Sequence, residues 1–128
     1  MTKLFTIIAA ISGFLAVALG AFGAHGLRDI LDPHAMAIFE TGVRYQMLHT
    51  LALLGVAVLN RPATRLLTLS GGFFVVGILL FSGSLYLLAL GGPSWLGPIT
   101  PLGGLSFLSG WALLAVWAVR QRNEDIAV

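Results

Sequence analysis

Long apolar stretches alternate with short polar connections along this chain. Apolar side chains dominate residues 4–24, 45–59, 66–90 and 101–119, and the last stretch is followed by Arg120 and Arg122. A helix needs about 20 residues to cross a hydrocarbon core of about 30 Å. Pro101 suits the first turn of a helix, where its missing N–H costs no hydrogen bond. The pattern predicts one all-α domain, residues 1–128, built as an integral membrane bundle of four transmembrane helices.

The connection between the first two spans, residues 25–44, is the longest, and it is predicted to be partly helical. Asp32 can cap a helix that begins at Pro33. The second span is the shortest, so an earlier start within this connection stays open. Glu40 and Arg44 stand one helical turn apart and are predicted to form an ion pair. At the surface such a pair contributes little, whereas below the lipid headgroups it would mark a functional cavity.

Composition excludes the soluble classes of protein. Hydrophobic residues make up 58% of the chain and charged residues 9%, and the mean hydropathy is +0.96. A soluble domain of this length needs far more polar surface to cover its core. The net charge of +2 comes from few residues, so the predicted surroundings are a lipid bilayer and no nucleic-acid partner is expected. Cysteine is absent, which excludes disulfides, thiolate metal sites and thiol nucleophiles.

Basic residues predict the direction in which the bundle crosses the membrane. Five of them fall on one side of the membrane: Lys3, Arg61, Arg65, Arg120 and Arg122. Two fall on the other side: Arg28 and Arg44. Because Lys and Arg near span ends are retained in the cytoplasm, both termini are predicted to be cytoplasmic. Lys3 and the apolar run after it also fit a cleavable signal peptide, but that run exceeds the usual apolar length of about 7–15 residues.

Glycine is frequent within the spans, where small residues let helices approach closely. Gly20, Gly83 and Gly110 are predicted to be such helix-packing positions. A weak internal repeat relates residues 12–24 to residues 71–83. Two duplicated helical hairpins would explain it, and chance similarity in a chain rich in Leu, Ala and Gly is the alternative.

Polar residues within the spans or at their ends are candidates for a ligand or proton site, because a polar group in hydrocarbon needs a partner. The candidates are His25, Tyr45, Gln46, His49, Ser82, Ser84 and Tyr86. One hypothesis places them in an outward-facing polar cavity, where imidazoles exchange protons or bind a ligand. The alternative is structural, with each group hydrogen-bonded to its own helix or to a neighbouring one.

Metal, cofactor and hydrolase chemistry find little support in the sequence. The histidines are His25, His34 and His49, and no His-x-x-x-His or Glu-x-x-His spacing occurs. A serine nucleophile would need a nearby base, and no strand-turn-helix motif resembles a nucleophile elbow. We therefore predict no metal site, no cofactor and no catalytic residue.

The ordered motifs of the chain resemble a family of small bacterial inner-membrane proteins known as domain of unknown function 423, which is similar to eukaryotic transmembrane protein 256. The resemblance covers nearly the whole chain. It rests on Ile11-Ser12-Gly13-Phe14, Ala18 to His25, Thr41-Gly42, Tyr45-Gln46, His49 to Ala52, Leu80 to Tyr86, Thr100-Pro101, Gly103-Gly104 and Gly110 to Leu113. It implies a four-helix protein of the bacterial plasma membrane, and it supplies no accepted activity or catalytic residue.

Three classes of function remain, in a weak order. A non-catalytic accessory or assembly component, packed against a membrane-protein partner or in a homo-oligomer, fits the glycine-rich spans and short connections. A small oligomeric transporter or channel with an outward-facing polar cavity comes second, because residues 4–24 contain no acidic residue. An intramembrane enzyme comes third, since a convincing acid and base pair is lacking.

Overall fold

The computed structural model describes the backbone of residues 1–126 and the side chains of residues 1–121. It contains four helices long and apolar enough to span a membrane. They are α1 (Thr2–Leu27), α2 (Pro33–Leu59), α3 (Arg65–Ala89) and α4 (Ile99–Ile126). The prediction of an all-α bundle of four spans is confirmed. The side chain of Arg122, used in the prediction of orientation, lies outside the described residues.

The second span begins twelve residues earlier than predicted, since α2 runs without a break from Pro33. Asp32 caps it as expected, because its carboxylate accepts a hydrogen bond from the N–H of Ala35 at 2.8 Å. Phe39 and Gly42 are buried in the bundle, so this part of residues 25–44 packs with the spans rather than forming a separate outer helix. The earlier start that the sequence leaves open for the second span is the one the structure has.

Two helices contain a wide turn, and the chain between α3 and α4 is compact. α1 ends in a π-helical turn at Gly23–Leu27, and α3 contains another at Ile78–Ser82. Gly91 has a φ of 88°, a left-handed conformation that favours glycine. It ends α3, and a short 3₁₀ turn at Ser94–Leu96 leads into α4.

The helices form two hairpins joined through their second and third members. α1 packs mainly on α2, α4 packs mainly on α3, and α2 and α3 lie together at the centre. Ser12 meets Thr50 in the first hairpin, and Ser70 meets Gly110 in the second. The α1 and α3 members of these pairs are 58 positions apart in sequence (70 − 12), and the α2 and α4 members are 60 apart (110 − 50). Both separations are close to the 59 positions between the two copies of the sequence repeat. The crossing points therefore support the explanation by duplicated hairpins.

Apolar packing fills both ends of the bundle. We call the end where α1 begins and residues 60–64 join α2 to α3 the basic end, and the other the opposite end. A large core of buried side chains extends from the basic end, including Phe5, Leu53, Leu67, Phe74 and Phe107. A smaller core, centred on Leu27, Phe39 and Ala89, closes the opposite end.

Glycines let large rings reach helix backbones at several levels of the bundle. A Cβ atom at Gly42 would lie 2.8 Å from the Tyr86 ring, and one at Gly110 would lie 2.6 Å from the Phe74 ring. Gly20 lies at a looser contact, where a Cβ would lie 3.4 Å from Val43. A Cβ at Gly83 would meet nothing within 4 Å. Within the chain Gly83 therefore packs against no other helix, because a groove lies beside it.

Asn60 holds the basic end together. Its side-chain oxygen accepts a hydrogen bond from the N–H of Thr64 at 2.6 Å, and its amide donates to the Thr68 hydroxyl at 3.2 Å. Its carbonyl oxygen accepts from the Thr2 hydroxyl at 3.0 Å. One buried residue thus ties the start of α1 to the end of α2 and the start of α3.

Candidate functional site

Hydrogen bonds link three helices at mid-depth through a set of side chains that we call the polar seam: Ser12, Gln46, Thr50 and Tyr86. The Gln46 amide donates to the Ser12 carbonyl oxygen at 2.9 Å, and the Tyr86 hydroxyl donates to the Gln46 amide oxygen at 2.7 Å. The Ser12 and Thr50 hydroxyls share a hydrogen bond of 2.6 Å. Gln46 is 13 residues from either end of α2, so its buried amide joins α1, α2 and α3 in the middle of the span.

His49 lies one turn from Gln46, and both of its ring nitrogens are engaged. The Trp111 indole N–H reaches its Nε2 at 3.1 Å, and its Nδ1 lies 2.8 Å from the Tyr45 carbonyl oxygen. An indole N–H can only donate, so Nε2 accepts and the ring is neutral with its proton on Nδ1. That proton is donated to Tyr45, within the same helix. The ring is therefore a satisfied core group with no free nitrogen for a ligand.

Aromatic rings surround His49 and form what we call the aromatic cluster: Tyr45, His49, Phe74, Phe81, Phe107 and Trp111. Phe107 stacks on the imidazole with ring centroids 3.5 Å apart and planes 8° from parallel. The Tyr45 ring is partly exposed and packs on Phe81 at 4.6 Å. The space that the cavity hypothesis assigns to a ligand around His49 is thus filled by rings from α3 and α4.

The serine candidates serve as contacts between and within helices. The Ser82 hydroxyl donates to the Gly42 carbonyl oxygen at 2.8 Å, which joins α3 to α2. The Ser84 hydroxyl lies 2.6 Å from the Thr100 hydroxyl and 3.0 Å from the Phe81 carbonyl oxygen. Neither hydroxyl lies within hydrogen-bond distance of a histidine, so the structure does not assemble a nucleophile and base.

His25 does not meet His49. It is exposed in the π turn at the end of α1, where Gly23 packs on Phe39. Phe39 and His49 are ten residues apart on α2, which places the two histidines at levels about 15 Å apart. The seven candidates therefore divide between the polar seam, the aromatic cluster, serine contacts and one exposed histidine.

A polar recess lies at the opposite end, between α1 and α2. Its volume is about 410 Å³, and Gly20, Gly23, Met36, Glu40 and Arg44 are among the residues that line it. Both charged side chains are exposed, and within the described side chains they form no ion pair closer than 4.0 Å. The predicted pair is thus not made in this structure.

Residue types alone did not identify Ser12, Thr50, Phe107 and Trp111 as partners of the candidates. Each is an isolated polar or aromatic residue in an apolar span. Ser12 is 34 residues from its partner Gln46 in the sequence, and Trp111 is 62 residues from its partner His49. For metals, no group of three or more His, Cys, Asp or Glu able to hold an ion occurs in the described part of the chain.

Known proteins match this chain over nearly its whole length. Residues 19–104 match the family model described as protein of unknown function (DUF423). The chain belongs to the DUF423 family. The "UPF0382 inner membrane protein YgdD" of Escherichia coli K12 is 47% identical over 129 residues, covering 99% of this chain and 98% of that protein.

Relatives from two further bacteria are also named membrane proteins. The "UPF0382 membrane protein YwdK" of Bacillus subtilis is 45% identical over 120 residues, covering 92% of this chain and 98% of the relative. A "UPF0382 membrane protein" of Haemophilus influenzae is 44% identical over 123 residues, covering 96% and 99% respectively. No solved structure matches the chain. The chain is thus a multi-pass membrane protein of a family whose function is unknown, and the resemblance seen in the sequence is confirmed.

Proposed function

We propose that this DUF423 protein is a non-catalytic accessory or assembly component of the bacterial inner membrane. One observation supports the proposal above the others: the polar groups of the spans are used to hold the helices to each other. Among the described side chains of residues 1–121, one buried polar atom, Trp117 Nε1, lacks a hydrogen-bond partner. Catalysis or ion coupling would need a titratable or ligating group with a free position facing a cavity.

The outer faces of the bundle supply apolar surface for a partner. Phe14 and Val17 on α1, and Leu105 and Leu108 on α4, are all more than half exposed. Association of helices in lipid depends on close packing and hydrogen bonds rather than on burial from water. A rigid, internally hydrogen-bonded body with such faces suits a role in packing against a larger membrane protein or against further copies of itself.

The proposal also includes location and orientation. The Escherichia coli relative is named an inner membrane protein, and the basic end carries Lys3, Arg61 and Arg65. We infer cytoplasmic termini. Because the chain lacks cysteine, single-cysteine variants Asp29→Cys and Arg61→Cys test this with a membrane-impermeant maleimide on intact spheroplasts. Labelling of Asp29→Cys alone is expected, and labelling of Arg61→Cys alone would reverse the orientation.

Native-level extraction tests the assembly role. A tagged protein, expressed from its own promoter and extracted directly into lipid discs, is expected to bring with it a second membrane protein, or further copies, in fixed stoichiometry. A matched sample of Leu108→Ser, which alters an exposed residue, checks whether the outer face of α4 makes the contact. A single copy with no protein partner in every preparation would overturn the proposal.

The polar recess is the observation that favours the second candidate, a small transporter. Glu40 and Arg44 give that recess charge, but α1 buries Ala16, Ala9 and Phe5 within the bundle toward the basic end. Transport would require α1 to move away from α2. If Ala16→Cys reacts with the impermeant maleimide from the Asp29 side, the contact opens and the transporter becomes the better model.

A further inference from the structure

The polar recess at the opposite end contains two opposite charges that do not pair with each other. Glu40 and Arg44 line it, and within the described side chains neither forms an ion pair closer than 4.0 Å. The other lining residues are uncharged, and on α1 they are small: Gly20, Gly23 and Ala24. Its volume of about 410 Å³ falls within the usual range of small-molecule sites, about 300–1,000 Å³. The recess therefore has room for a ligand between the small residues of α1 and the charges of α2.

Helix lengths give the depth of the recess in the membrane. On α1, Gly20 lies 17 residues (20 − 3) beyond Lys3, and a Cβ at Gly20 would lie 3.4 Å from Val43 of α2. On α3, Ser82 lies 17 residues (82 − 65) beyond Arg65 and hydrogen-bonds to α2 at a neighbouring position. That number of helical residues rises about 25 Å. Both counts therefore place Val43 about 25 Å from the level of the basic residues.

One of the two charges lies inside the hydrocarbon core and the other at its boundary. A core of about 30 Å that begins at the basic residues ends about 5 Å beyond Val43. Arg44 is one residue nearer the basic end, so its Cα lies about 6 Å inside that boundary. Glu40 is three residues farther out, so its Cα lies close to the boundary. A charge in hydrocarbon is costly unless an opposite charge neutralises it. Since none of the described side chains neutralises Arg44, we expect its partner to be an anion of the membrane.

The order of the two charges matches one kind of lipid headgroup. In phosphatidylethanolamine the anionic phosphate is attached to the glycerol, and the cationic amine lies farther out, beyond two carbons. Arg44 is the deeper of the two side chains, and a guanidinium binds phosphate through two parallel hydrogen bonds. Glu40 lies about 6 Å farther out along the helix, where its carboxylate can accept a hydrogen bond from the amine. A lipid such as phosphatidylglycerol offers a phosphate to Arg44 but no cation to Glu40.

We propose that the polar recess binds the headgroup of one phospholipid with a terminal amine, its phosphate on Arg44 and its amine on Glu40. The lipid belongs to the leaflet at the opposite end of the bundle, so its headgroup lies at the interface and its acyl chains point toward the middle of the membrane. A soluble molecule with the same two charges would use the same chemistry, and the test separates the two sources. The proposal does not rest on the assembly role, because a bound lipid is compatible with a partner, with further copies or with neither.

Exchanging the two charges is the sharpest test, because it keeps the net charge and the helical spacing. Wild type and the double variant Glu40→Arg with Arg44→Glu are recovered from lipid discs that contain phosphatidylethanolamine and phosphatidylglycerol in equal amounts with the same acyl chains. Native mass spectrometry then counts the retained lipids. Wild type should retain one phosphatidylethanolamine with a preference of about tenfold, which corresponds to about 1.4 kcal/mol. The exchange variant should lose this preference, because its deeper carboxylate repels phosphate.

Single variants assign each charge to its contact. Glu40→Gln should still retain a phospholipid but no longer prefer phosphatidylethanolamine, because the amine loses its ionic partner. Arg44→Gln should lose about tenfold of the retained lipid, whichever headgroup it carries. Arg28→Gln is the matched control, since it removes a charge at the same end but outside the recess, and it should behave as wild type.

Two outcomes would overturn the lipid site. The same lipid preference in wild type and in the exchange variant would show that the recess charges are only solvated. Binding of free O-phosphorylethanolamine in place of the lipid would make the recess a site for a soluble zwitterion. Far-UV circular dichroism confirms that each variant is folded. Should the exchange variant unfold, Glu40→Gln and Arg44→Gln decide the matter, and behaviour of both like Arg28→Gln would reject the proposal.

Discussion

Two regions of this bundle hold helices together in lipid with different sets of contacts. Around the polar seam, side chains of α1, α2 and α3 are joined by hydrogen bonds, and an open groove lies beside them. On the other side, α4 also makes hydrogen bonds, as between Ser70 and Gly110, but it adds stacked rings around His49 and glycines that admit large rings. Close packing needs an accurate fit everywhere, whereas a few hydrogen bonds tolerate empty space next to them.

This difference predicts that the α4 side is the more sensitive to added volume and the polar seam the more sensitive to lost hydrogen bonds. Stability can be compared on one scale by unfolding the purified protein with increasing sodium dodecyl sulfate in mixed micelles, followed by far-UV circular dichroism. Each variant below is measured in this way.

The largest effect is expected from Gly103→Ala on the α4 side. The added methyl would overlap backbone atoms of Phe81, which cannot move aside as a flexible side chain could. We expect a loss of about 3 kcal/mol in the free energy of unfolding. Gly104→Ala is the matched control, because its nearest neighbour is the Phe81 ring at 3.9 Å. Equal stability of the two variants would contradict the tight fit of α4 on α3.

The second largest effect is expected from His49→Ala. This change removes the ring stacked on Phe107 and leaves the Trp111 indole N–H without its acceptor. The cavity and the unpaired donor together should cost about 2 kcal/mol. His25→Ala, at an exposed histidine, should change the unfolding free energy little. If His49→Ala is as stable as wild type, the imidazole is not part of the core and a functional role regains support.

Much of the fold follows from the sequence because a span is a local property. About 20 apolar residues, the cap at Asp32 and the proline at position 101 each specify structure within a few turns. The helix from Pro33 was predicted, but whether it belongs to the second span stayed open, because burial of Phe39 and Gly42 depends on Gly23 and Tyr86 from other helices.

The candidate site was predicted less well, because its geometry depends on which distant residues meet. Gln46 and His49 lie three residues apart, yet one joins α1 to α3 and the other contacts α4. Gly83 and Gly110 have similar apolar surroundings in the sequence. Only Gly110 faces a large ring, that of Phe74. Spacing along one helix gives the face on which a residue lies but not the size of the side chain opposite.

An intermediate effect is expected at the polar seam. Gln46→Leu removes the acceptor of the Tyr86 hydroxyl and the donor to the Ser12 carbonyl oxygen, and should cost about 1 kcal/mol. Combined with Tyr86→Phe in a double-mutant cycle, it should show a coupling of about 0.6 kcal/mol, the average found for hydrogen bonds between membrane helices. Additive effects of the two changes would mean that the bond contributes nothing to joining α2 and α3.

The smallest effect is expected from the charged residues of the polar recess. Glu40 and Arg44 are exposed and form no ion pair within the described side chains. A cycle of Glu40→Gln, Arg44→Gln and the double variant should therefore give a coupling below about 0.2 kcal/mol, less than a typical pair at this helical spacing. A coupling of about 0.5 kcal/mol or more would show that the charges attract each other in the membrane. The recess would then resemble the polar seam, with its charges committed to holding structure, and its claim as the entry of a transport path would weaken.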